Sequence, residues 1–201
     1  MIVSSGGEHL AHRGLVLKQA RALPLSAPVI FQVREKGLDS ASLWTLCSQI
    51  APVIDDAGSI LAVNDRLDIA LASGAGAVHL PESSCPADVI RKAARGLLTG
   101  QSVHSKTAAL NASSAGLDYL LFGPVFHTPS KAPFGPPQGL EKLREICEKV
   151  RTPVFAVGGV THDKALACIE CGAWGVAALT PFLDAGSLPD TINRYLSYLP
   201  S

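Results

Sequence analysis

An alternation runs through the chain and limits what it can fold into. Short β-branched or apolar runs stand at Val29 to Val33, Ser59 to Val63, Ala77 to Leu80, Leu98 to Ser102, Tyr119 to Phe122, Val154 to Val157 and Gly175 to Ala178. Between them lie stretches with helical spacing: roughly His9 to Leu23, Ser40 to Ala57, Asp65 to Ser73, Pro86 to Arg95, Lys106 to Ala115, Gly139 to Lys149, His162 to Cys171 and Leu188 to Leu199. Runs this short and this apolar suit parallel strands buried on both faces. Met1 to Ser4 supplies the strand missing from the count. The pattern therefore predicts an α/β fold, a (βα)8 TIM barrel with a short or vestigial first strand, as one domain over residues 1–201. A doubly wound open sheet shares the alternation, but this many repeats in 201 residues favour closure.

Boundary residues agree with these assignments. Asp39 and Ser40 precede the second helix, Pro86 opens the fourth, and Thr161 is placed to cap the seventh. Asp65 is placed to cap the third. Gly74, Gly116 and Gly172 each end a helix where a left-handed residue lets the chain turn into a strand.

Composition excludes whole classes of function. With 17 Lys+Arg against 17 Asp+Glu, the chain has no basic field for a polyanion, so nucleic acid is not an expected partner. The longest apolar runs are broken by Asp, Gly or Pro well short of the ~20 residues of a membrane span. The N-terminus lacks the pattern of a secretory signal, so the expected location is cytoplasmic. Disulfides are not expected there. Cys168 and Cys171 fall within a helical pattern, with no second pair to complete a zinc site. Nothing in the pattern sets an oligomeric state.

In a barrel, functional groups follow the strands. After the second come Gln32, Arg34 and Lys36, which alternation places on one side, two of them cationic. The third delivers Asn64 and Asp65, an amide for a phosphate and a carboxylate for a hard cation. His79 and Glu82 follow the fourth; Ser102 and His104 follow the fifth. Either histidine could equally be a satisfied polar residue at a strand end. The sixth opens into the longest loop, carrying His127, Thr128, Ser130 and Lys131, two hydroxyls and an ammonium suited to phosphate oxygens. Gly158 and Gly159 end the seventh strand, and Leu179 and Thr180 the eighth, where bare backbone N–H groups commonly hold a phosphate. Two anion sites in one barrel mouth describe the joining or rearranging of phosphorylated small molecules.

From Val29 to Leu183 the chain resembles the thiamin phosphate synthase and thiazole tautomerase superfamily. The resemblance is carried by Gln32-Val33-Arg34-Glu35-Lys36, Asn64-Asp65-Arg66-Leu67-Asp68-Ile69-Ala70, Val78-His79-Leu80, Gly100-Gln101-Ser102-Val103-His104, Phe122-Gly123-Pro124-Val125-Phe126, Thr128-Pro129-Ser130-Lys131 and Val157-Gly158-Gly159. It implies a transferase of thiamin biosynthesis that expels diphosphate from hydroxymethylpyrimidine diphosphate and joins the pyrimidine to thiazole phosphate. Gln32, Arg34, Lys36, Asn64, Ser130 and Lys131 would then hold the leaving diphosphate, and Gly158, Gly159, Leu179 and Thr180 the thiazole phosphate. The resemblance further implies Mg2+, with Asp65 as one ligand. Where synthases place a second aspartate this chain has Ser84, so either Glu82 serves as second ligand, or Asp65 and the diphosphate hold Mg2+ with more waters, or the synthase reaction has been lost. The tautomerase branch aromatises a carboxythiazole phosphate without metal. Its catalytic histidine falls at Pro124, so His127 or His104 would have to serve as acid and base. A phosphate-ligand-binding regulator without catalysis is the third alternative.

Overall fold

The structure, a computed structural model, describes residues 1–4, 6, 10–128 and 135–198. In chain order the elements are β1 (Ile2–Val3), α1 (Leu10–Arg21), β2 (Ile30–Val33), α2 (Ser40–Asp56), β3 (Ile60–Asn64), α3 (Leu67–Ser73), β4 (Ala77–Leu80), α4 (Ala87–Ala93), β5 (Leu98–Val103), α5 (Lys106–Ser114), β6 (Tyr119–Phe122), α6 (Gly139–Lys149), β7 (Val154–Val157), α7 (His162–Glu170), β8 (Gly175–Ala177) and α8 (Leu188–Leu196), with a 3-10 turn at Thr180–Phe182 before α8. The strands form one 8-stranded parallel sheet in sequence order. The short first strand closes it: Ile2 pairs with Phe31 on one side and with Ala178 on the other. Met1 O and Val3 N both bond to Ala178, at 3.2 and 3.0 Å. The barrel read from the alternation is therefore present, and two residues suffice for its first stave.

Outward-facing strand residues such as Phe31, Val63, Leu120 and Phe122 pack against helix residues such as Ile50, Ile54, Leu143 and Ile146, all of them buried. Burying each such side chain contributes about 1.5–3 kcal/mol. Inside the barrel a smaller cluster, Tyr119, Leu121, Phe155 and Ala177, fills the centre. Its two rings meet edge to face at 5.8 Å.

Two expected caps differ from the structure. Asp65 does not cap α3: Arg66 occupies the cap position, and Asp65 lies one residue earlier in the left-handed region at φ 63. The turn that brings the Asp65 N–H onto the His79 carbonyl at 2.8 Å takes it out of capping geometry. Thr161 holds the cap position of α7 without a side-chain cap bond, because its hydroxyl is bonded to the Asp163 carboxylate. Asp39 caps α2 as expected, accepting from Ser42 N at 2.8 Å. Among the described residues no helix is long and apolar enough to cross a membrane.

Candidate active site

The C-terminal ends of β2 to β5 enclose a cavity of about 520 Å3 whose walls include Arg34, Lys36, Asn64, Glu82, Ser102 and His104. Local structure explains how the two cations come to share it. The backbone N–H of Arg34 donates to Ser4 Oγ at 2.8 Å, which pins the end of β2 to β1. Glu35, between the cations, is buried and accepts from Gly6 N at 3.2 Å. Beyond the strand, a turn closed by Leu38 N–H on the Glu35 carbonyl at 3.2 Å leaves both Arg34 and Lys36 lining the cavity.

Gln32 and Asn64 act as a unit. The Gln32 Nε2 group donates to Asn64 Oδ1 at 3.0 Å, which leaves the Asn64 amide hydrogens to donate elsewhere. The same bond leaves Gln32 Oε1 buried without a partner. Gln32, expected as a donor to diphosphate, spends one of its two amide hydrogens on Asn64, which itself lines the cavity.

His104 is held from two directions. Its backbone N–H donates to Glu82 Oε2 at 2.7 Å, and its Nδ1 is hydrogen-bonded to the Gly123 carbonyl. A carbonyl only accepts, so Nδ1 carries the proton and Nε2 of the neutral ring keeps its lone pair. His79, deeper in the barrel, contacts Ser102 Oγ through Nε2 at 2.9 Å and Tyr119 Oη through Nδ1 at 3.3 Å. Burial, aided by the Arg34 charge, pushes its pKa down to about 3.

At the ends of β7 and β8 lie the other expected anion groups. Gly158 and Gly159 take φ 93 and 63, a turn that L side chains resist. A Cβ on Gly159 would collide with the His127 carbonyl and Phe126. Thr180 begins the 3-10 turn directly after Leu179, next to β8. His127 is exposed and Thr128 half-buried at the start of the long loop. Ser130 and Lys131 lie outside the described residues.

Of the two carboxylates expected to hold Mg2+, one lines the cavity and the other does not. Glu82 lines the cavity but is bonded to a backbone N–H, Asp65 is exposed and outside the cavity walls, and Ser84 is neutral. Among the described residues no three His, Cys, Asp or Glu side chains converge. The five cysteines are unpaired thiols.

A family described as thiamine monophosphate synthase matches residues 2–182. A putative thiamine-phosphate synthase 2 of Aquifex aeolicus is 39% identical over 153 residues, 76% of this chain and 82% of that one. A putative thiamine-phosphate synthase of Geobacter sulfurreducens is 38% identical over 170 residues, 84% of this chain and 80% of that one. Among solved structures, a thiamine phosphate pyrophosphorylase of Pyrococcus furiosus superposes with a TM-score of 0.82 at 27% identity, covering 98% of this chain and 92% of its own.

Proposed function

From the premise that the chain belongs to the thiamine monophosphate synthase family, we propose that it is a transferase that joins hydroxymethylpyrimidine diphosphate to thiazole phosphate and releases diphosphate. The observation that carries this reading is the convergence of Arg34 and Lys36 with the donors of Asn64 and Ser102 in one cavity. Cations and neutral donors together grip an oxyanion better than either alone, because charge-assisted hydrogen bonds are the strong ones.

The chemistry then follows from where charge develops. The bond between the pyrimidine methylene and the diphosphate oxygen breaks with its electron pair leaving on diphosphate. Arg34 and Lys36 are already in place to stabilise that growing charge, so the barrier falls without reorganisation. The thiazole ring nitrogen donates its lone pair to the cationic methylene and forms the new C–N bond. Gln32 would hold Asn64 Oδ1 and so leave the Asn64 amide hydrogens for the diphosphate. Gly158, Gly159, Leu179 and Thr180 would seat the thiazole phosphate by backbone groups. Ser130, Lys131 and Thr128 would complete the grip on diphosphate from the long loop. Asp65 and Glu82, together with the diphosphate, would hold a Mg2+ ion, which when bound would help offset the charge of the leaving group.

One observation favours the tautomerase alternative: the Gly123 carbonyl leaves His104 Nε2 as a base at the cavity wall. Purified protein incubated with both synthase substrates should yield thiamin phosphate and pyrophosphate. Conversion of carboxythiazole phosphate instead would establish the tautomerase, and binding of phosphate ligands with neither conversion would leave a binding barrel.

A further inference from the structure

Three inward positions on adjacent strands form a device below the cavity. His79 on β4, Gly100 on β5 and Tyr119 on β6 lie side by side in the register, His79 opposite Gly100 and Gly100 opposite Tyr119. A Cβ on Gly100 would stand inside the Tyr119 ring. Glycine there lets the phenol cross β5 and reach the imidazole, with ring centroids 5.6 Å apart and nearly parallel. Ser102, two residues beyond Gly100, points the same way one layer nearer the mouth, where it lines the cavity.

The direction of the hydrogen bonds follows from the buried end. The Tyr119 hydroxyl is deeply buried, and its recorded partner among the described residues is His79 Nδ1. A buried O–H left without an acceptor costs about 1–3 kcal/mol, so the phenol donates and Nδ1 accepts. A neutral imidazole that accepts at Nδ1 carries its proton at Nε2. That N–H donates to Ser102 Oγ, so the serine's own O–H is left to donate into the cavity.

We propose that Gly100, Tyr119 and His79 are positioning residues that hold the Ser102 hydroxyl as a donor to an anion bound in the mouth. Without the phenol, His79 is free to move its proton to Nδ1. Ser102 then spends its hydrogen on Nε2 and presents only lone pairs to a phosphate oxygen. The proposal rests on the reading of the mouth as a diphosphate site.

Two measurements test it. Long-range 15N–1H correlation spectra of the wild-type protein should place the His79 proton on Nε2, both free and with pyrophosphate bound; a proton on Nδ1, or an imidazolium at neutral pH, overturns the proposal. In calorimetry, Tyr119→Phe should raise the pyrophosphate Kd by about 3- to 10-fold, the range expected for one hydrogen bond. In a Ser102→Ala background the same substitution should change nothing, and an equal loss with and without the serine overturns the proposal. Should Tyr119→Phe fail to fold, the wild-type tautomer decides alone. Failure of the wild-type protein to bind pyrophosphate would instead remove the diphosphate reading, whatever tautomer His79 holds.

Discussion

Glu82 Oε2 accepts the backbone N–H of His104 at 2.7 Å, so the one carboxylate that the described residues place in the cavity wall fastens the end of β4 to the end of β5. The bond fixes one oxygen of the carboxylate and leaves Oε1 facing other partners. The positive side chains Arg34 and Lys36 remain as the compensation for a bound anion.

Pyrophosphate should accordingly bind in excess chelator. Calorimetry in EDTA is expected to give a measurable Kd, and Ser84→Asp, which adds an oxygen ligand, should make binding respond more strongly to added Mg2+ than in the parent. Glu82→Gln keeps an acceptor for His104 N–H and should bind like wild type. Loss of all binding in chelator would refute this account of the mouth.

The two cations should differ in weight. Arg34, half-buried and fixed by the Ser4 bond to its backbone, should cost roughly 10- to 100-fold in pyrophosphate affinity when replaced by alanine, as expected for charged hydrogen bonds. Lys36 is exposed and screened, so Lys36→Ala should cost less and mainly flatten the salt dependence. Titrations at two ionic strengths would separate the two, and identical behaviour would contradict the difference in burial.

Much of this was legible in the sequence, and the exceptions have physical causes. The strand and helix alternation yields the barrel because period and length are local properties, and Gly139–Lys149 and Ala77–Leu80 match the structure to the residue. Arg34 and Lys36 do meet in one cavity, as period-two spacing suggests, although both lie beyond the end of β2 at Val33 and Lys36 belongs to a turn. Asp65 was misplaced as a cap because its left-handed φ depends on a bond to His79 across two strands. The Tyr119 to Ser102 chain joins three strands through register, which spacing along the chain does not encode. One signal was available: a glycine inside a strand pattern marks a close approach, and Gly100 is such a glycine.

Gly159→Leu should abolish binding of thiazole phosphate. The substitution places a side chain at φ 63 and drives its Cβ against the His127 carbonyl, so the turn must open. Pyrophosphate binding should fall less than thiazole phosphate binding, since Arg34 and Lys36 enter the cavity from the end of β2, while the displaced turn meets the loop that starts at His127. Unchanged thiazole phosphate affinity in this variant would move that site elsewhere.

Stability should fall with acid through His79. Its folded pKa is lowered to about 3 by burial, while an unfolded histidine titrates near 6.5. Above pH 6.5 the ring is neutral in both states and contributes no dependence. Below it the unfolded chain takes up a proton that the folded chain refuses, so unfolding becomes easier by up to about 1.4 kcal/mol per pH unit until the folded ring titrates. Carboxylates add their own dependence below about pH 4.5, so the window to read is from 6.5 down to 4.5. Urea denaturation across that window should show the slope in the parent and a flatter one in His79→Gln, which keeps a donor and an acceptor at the site. An equal slope in both proteins would mean that His79 takes up its proton in the folded barrel, and the hydrogen-bond direction from Tyr119 to Ser102 would fail with it.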